Sequence, residues 1–103
     1  MVSPETLSRH GAVSLEVAAE MARGARERFG ASLGAAVTGI AGPDGGTPDK
    51  PVGTVCLAVS GPGDRAVAKK RMFPGDRSVV RRAAAVHCLQ LVRRQLLEER
   101  TPD

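Results

Sequence analysis

Tryptophan and tyrosine are absent, and phenylalanine occurs only at Phe29 and Phe73. Large aromatic packing therefore cannot organise the interior, and the aromatic platforms that hold single-stranded nucleic acid are excluded. Cys56 and Cys88 are too few and too widely spaced for a disulfide framework or a zinc site, so both read as small apolar interior residues. No apolar run reaches about 18 residues, which excludes a membrane-spanning helix. Met1 to Arg9 lacks the basic start and apolar stretch of a secretion signal, and the expected location is cytoplasmic.

What is present is ordinary in amount: 103 residues, 42% apolar and 25% charged, the composition of one globular domain. A chain this size buries roughly two thirds of its unfolded surface, and the core must be Val, Leu and Ala. Residues 1–50 carry five Lys/Arg against six Asp/Glu, and residues 51–103 carry ten against five. The net charge of +4 thus arises in the C-terminal half, which favours an anionic ligand or surface.

Capping residues divide the chain. Ser3, Pro4 and Glu5 open a short helix that Gly11 closes, because a hydroxyl caps the first turn, proline fits its start and glycine its end. Ser14 and Gly30 bracket a second helix with Val17, Ala18, Met21, Ala25 and Phe29 at helical spacing. Ala35–Thr38 reads as a buried strand. Val52–Ser60 reads as another, with Val55, Leu57 and Val59 on one face and Cys56 and Ala58 on the other. Gly61-Pro62-Gly63-Asp64 is a turn, and Arg65–Phe73 is a charged strand suited to a sheet edge. Asp76 caps a long helix running to about Glu99, with Val79, Val80, Ala83, Ala84, Val86, Cys88, Leu91 and Val92 as its apolar positions. Pro102 limits extension. The order predicts an α/β sandwich with one hairpin and at least one crossover helix. Both faces of the first two strands are apolar, so they are expected to be central strands requiring further neighbours.

The seventeen residues from Thr38 to Thr54 are the densest feature. Gly39, Gly42, Pro43, Gly45, Gly46 and Pro48 exchange side chains for special backbone geometry. Consecutive amides in such a loop can converge on a phosphate or carboxylate, and Thr38 delivers a hydroxyl to the end of a strand. The same glycines also suit a long connection that only needs positive φ angles. The pattern Gly-x-x-x-x-Gly-Lys-Ser/Thr does not occur, so this is not a Walker loop.

Val37-Thr-Gly-Ile-Ala-Gly-Pro-Asp-Gly-Gly46, Asp49-Lys-Pro-Val-Gly-Thr-Val55, Phe73-Pro-Gly-Asp-Arg77 and the upstream His10-Gly-Ala-Val-Ser14 together resemble the CinA C-terminal domain family, the nicotinamide-nucleotide amidohydrolases of the PncC type. The resemblance spans nearly the whole chain. It implies a three-layer α/β/α sandwich lacking its N-terminal strands and first helix, so that residues 1–103 form one partial domain. It also implies hydrolysis of nicotinamide mononucleotide to nicotinate mononucleotide and ammonia in bacterial pyridine-nucleotide salvage, without a metal or other cofactor. The family carries an Ala-Glu-Ser-Cys-Thr-Gly-Gly-like segment with its proposed serine nucleophile, and a later Tyr and Lys, before the counterpart of Val2. None of these has a position here, which makes the chain look like a truncated gene, a mis-assigned start or a fragment, with no catalytic residue of its own. It is expected to be inactive or nearly so alone, since an activated nucleophile and its base are worth several powers of ten in rate.

The binding residues expected here are Thr38, Gly39, Gly42, Pro43, Gly45, Gly46 and Arg77, the last as a bidentate phosphate donor. Asp76 is explained as a helix cap, Asp44 as a turn residue, and Lys50, His10 and His87 as surface or helix-face groups. The expected partner is the small nucleotide, without a membrane; a homo-oligomer is left open. Two other classes compete: a basic nucleic-acid module using Lys69, Lys70, Arg71, Arg81, Arg82, Arg93 and Arg94, and a non-catalytic remnant acting by assembly.

Overall fold

The computed structural model describes residues 2–40, 42, 45–48, 50–61 and 66–100, the side chains of 98–100 excepted. Helices α1 (Pro4–His10) and α2 (Leu15–Phe29) precede strand β1 (Gly34–Gly39). Strands β2 (Thr54–Ser60) and β3 (Ala66–Met72) and the long helix α3 (Arg77–Arg100) complete the order. The caps sit where the sequence puts them. Ser3 Oγ accepts from the Thr6 amide, Ser14 Oγ accepts from the Val17 amide, and Asp76 Oδ1 accepts from the Val79 amide at 3.1 Å. Gly30 ends α2 in the left-handed region at φ 61°, a conformation glycine adopts without penalty.

The sheet has the order β1-β2-β3, and both pairings are antiparallel. No crossover helix therefore joins the described strands, contrary to the sequence expectation. Within this sheet β2 is central and buried along its whole length, whereas β1 is an edge strand with Ala35 and Val37 exposed. β2 is central, as its two apolar faces predict. β1 has β2 as its one neighbour among the described residues and leaves apolar Ala35 and Val37 exposed, so the further neighbour that its two apolar faces call for is not among them. The charged strand β3 occupies the other edge, as expected.

Alternation along β2 separates two cores. Val55, Leu57 and Val59 pack with Val80, Ala84 and Leu91 of α3, while Cys56 and Ala58 pack with Ala36 of β1 and Ala18 and Ala22 of α2. The helices lie on opposite faces, giving an α/β/α sandwich. Both helices bury narrower stripes than their apolar patterns suggest. In α3 the buried positions are Val80, Ala84, Leu91 and Gln95, and Val79 and Val86 are exposed, because one helix presents only a limited arc to a sheet. In α2 the buried stripe is Val17, Ala18 and Ala22, leaving Met21 exposed and Phe29 at 76%. The cause is Gly34: a Cβ there would meet the Ala22 carbonyl oxygen and lie 2.8 Å from the Arg26 amide. Backbone approach that close admits alanine against the sheet and turns the larger side chains outward.

Candidate functional site

The loop after β1 is held by its own backbone. The Ile40 amide donates to Thr54 O at 2.9 Å, the Gly53 amide donates to Ile40 O at 2.7 Å, and the Thr47 amide donates to Lys50 O at 2.9 Å. The Lys50 amide donates to Thr47 Oγ1, and the Lys50 ammonium reaches His10 O at 2.7 Å, tying the loop to the end of α1. Gly42 and Gly45 have φ of 87° and 100°, which a side chain would strain. Gly46 is required for a different reason, since a Cβ there would lie 2.7 Å from the Val52 amide nitrogen. After these ties, the amides of Gly42, Gly45 and Gly46 donate to no carbonyl among the described residues. Gly45 and Gly46 are exposed, and Pro43 lies outside the described residues.

Thr38 and Gly39 point to opposite faces, as neighbours on a strand must. Thr38 Oγ1 donates to Ala12 O at 2.8 Å on the α2 side, which uses its one donor and leaves its lone pairs available. Gly39 lines a cavity of about 250 Å³ on the α3 side, together with Val37 and with Val80, Arg81 and Ala84 of α3. The cation at this cavity is Arg81. Arg77 is exposed one turn earlier and is not among the lining residues. Sequence reasoning missed Arg81 by counting it with the solvated charges of α3. The signal was its spacing of four from Arg77, which places both on one side of the helix.

A second hollow of about 310 Å³ opens on the opposite face, at the start of α2, where His10, Ser14, Glu16, Lys50, Cys56 and Lys70 meet. Two of its polar groups are engaged locally: the Lys50 ammonium donates to His10 O, and His10 Nδ1 lies 3.8 Å from Glu16 Oε1. Burial pushes the Cys56 thiol up, against the pull of Lys70 and Lys50, so it lacks the thiolate character of a nucleophile. Burial raises Cys88 as well. His87 turns away from this chemistry, stacking edge-on with Phe73 at 4.8 Å between ring centroids. Among the described residues, no three His, Cys, Asp or Glu side chains are grouped to hold a metal ion, and no helix is long and apolar enough to cross a membrane.

The model of the CinA C-terminal domain matches residues 1–96, a span that includes the loop, the residues lining the cavity beside it and the capped start of α3. The chain belongs to this family. A CinA-like protein of Anaeromyxobacter sp. (strain K) is 58% identical over 93 residues, which cover 89% of this chain and 22% of that protein. The crystal structure of competence/damage inducible protein CihA from Agrobacterium tumefaciens superposes with a TM-score of 0.84 at 40% identity, over 88% of this chain and 56% of that one. A CinA superfamily protein from Enterobacter cloacae gives a TM-score of 0.78 at 38% identity, over 90% and 55% of the two chains. This CinA-family chain therefore spans under a quarter of that curated relative and about half of these solved structures. These names describe competence and damage induction, not a reaction.

Proposed function

We propose that this chain supplies the nucleotide-binding part of a nicotinamide-nucleotide amidohydrolase, which converts nicotinamide mononucleotide and water to nicotinate mononucleotide and ammonia. The observation that carries the reading is the loop after β1. Its backbone is fixed by Ile40, Thr47 and Gly53, yet the amides of Gly42, Gly45 and Gly46 are uncommitted among the described residues. Main-chain donors in a loop tied at Ile40, Thr47 and Gly53 bind an anion at a reduced ordering cost. Gly39 leaves backbone accessible at the neighbouring cavity, and the Thr38 hydroxyl can accept a hydrogen bond from the ribose. Arg77 and Arg81 stand on the same side of α3 and supply charge for the phosphate.

Amide hydrolysis also needs a nucleophile, a base and donors for the developing oxyanion. The two cysteine thiols here are pushed up by burial and are poor nucleophiles. The resemblance to the amidohydrolases implies a serine nucleophile in a segment with no counterpart among these residues, so in this reading the chain alone binds the nucleotide and turns it over negligibly.

The test is a titration of the ¹⁵N-labelled chain with nicotinamide mononucleotide. Saturable shifts are expected at Gly39, Gly42, Gly45 and Gly46. Arg77→Gln should weaken binding about tenfold, and ammonia release should stay at least about 1,000-fold below that of an amidohydrolase with its nucleophile in place. Loop resonances that do not move at millimolar nucleotide overturn the reading.

A further inference from the structure

A third hollow, of about 150 Å³, lies between β3 and α3, away from the loop. Its β3 wall carries Lys69 and Arg71, which share a face because they are two residues apart and pair with Leu57 and Val55. Its α3 wall carries His87, Gln90 and Arg94, one stripe at spacings of three and four. Leu57 and Leu91, 2% and 7% exposed, form the floor.

Three permanent cations from two elements thus face one concavity, and among the described residues no carboxylate lines it. Among the described residues none of the three takes part in an ion pair. Arg71 Nη1 donates to Lys70 O at 3.0 Å, which leaves its other donors available. Cations brought together without counter-charge repel, and an apolar floor strengthens the field between them, so an anion placed there relieves both conditions. Arg71 and Arg94 offer planar forks, Lys69 a point charge and Gln90 a neutral amide donor, a set matched to phosphoryl oxygens. The Phe73 ring edge steadies His87 at the rim.

We infer that this hollow binds the phosphate group of a small anion, at a site separate from the Gly39–Arg81 cavity. The inference holds whether or not the loop takes a nucleotide. A nucleic-acid backbone offers the same phosphate chemistry, but it requires a continuous basic track. The fold breaks that track. Lys70 lies on the opposite face of the sheet beside Cys56, and Arg81 lines the cavity at β1.

The experiment is a titration of the ¹⁵N-labelled chain with inorganic pyrophosphate at constant ionic strength. Saturable shifts are expected at Leu57, Lys69, Arg71, His87, Gln90 and Leu91. Arg71→Gln and Arg94→Gln should each weaken binding about tenfold while Arg82→Gln leaves it unchanged. Thermal melts matching the parent protein separate lost binding from lost fold, and Lys69→Gln serves if one arginine variant misfolds. Shifts that grow linearly without saturating overturn the proposal, as does equal weakening by Arg82→Gln. A duplex oligonucleotide that binds more tightly than pyrophosphate, and is weakened as much by Lys70→Gln as by Arg71→Gln, overturns it in favour of an extended nucleic-acid surface.

Discussion

The two faces of the sheet are built from different side chains, and their properties diverge accordingly. On the α2 face, Ala18, Ala22, Ala36, Cys56 and Ala58 bring helix and strand backbones together, with Gly34 admitting α2 where nothing larger fits. On the α3 face, the larger side chains of Val55, Leu57, Val59, Val80 and Leu91 fill the contact between helix and sheet. Hollows lined by Gly39 and Arg81 on one side, and by Lys69, Arg71 and Arg94 on the other, flank this second core. Small residues close the contact beneath α2, and the hollow on that face opens beyond it at the start of α2, where Glu16 sits among Lys50 and Lys70. Large ones leave space at the margins of their contact, and the cations gathered there have no carboxylate beside them among the described residues.

Breaking the closed layer should have the largest effect. Gly34→Ala drives a methyl into the Ala22 and Arg26 backbone, which cannot yield as a flexible side chain would. The expected loss is more than about 3 kcal/mol, read by urea denaturation. A variant as stable as the parent would show that α2 is free to lift from the sheet. On the open side, Leu57→Ala removes a 2% exposed side chain from the larger core, costing about 3 kcal/mol. Here the neighbours have room to settle, so the measured value should fall below that for Gly34→Ala. The reverse order would make the α3 face the more rigid of the two.

The cysteines sharpen the contrast with little disturbance, since one lies in each layer. Cys56 is fully buried under α2 and Cys88 is half-buried on α3. Mass-spectrometric alkylation timing should find Cys88 modified first and Cys56 only when the sheet opens. Because burial raises both thiols, their contribution to stability is fully present below the ordinary thiol range and is lost as pH climbs through the raised values. Faster labelling of Cys56 would identify the α2 layer as the looser one.

Much of this was legible in the chain before folding. Ser3, Ser14 and Asp76 announced the three helices, because a side-chain oxygen before an apolar stripe satisfies amides that the first turn leaves open. Alternation in β2 assigned Val55 and Leu57 to one core and Cys56 to the other. The loop was legible as a backbone-shaped feature, though not the division of labour within it. Gly42 and Gly45 answer to φ, and Gly46 to the nearness of Val52. The phase of α2 was misread by one residue, since Met21 and Phe29 match the helical period as well as Ala18 and Ala22 do.

Sequence alone determined where the helices begin, and which residues of β2 share a face, because capping and alternation depend on neighbours a few positions away. Tertiary structure alone decided that, among the described residues, β1 has β2 as its one neighbour and both pairings are antiparallel, and that Arg81 rather than Arg77 meets Gly39 at the cavity. It likewise decided that Lys69 and Lys70, adjacent in the chain, serve opposite faces. These outcomes turn on how closely two backbones can approach, a quantity fixed by contacts such as Gly34 against Ala22 between residues distant in sequence.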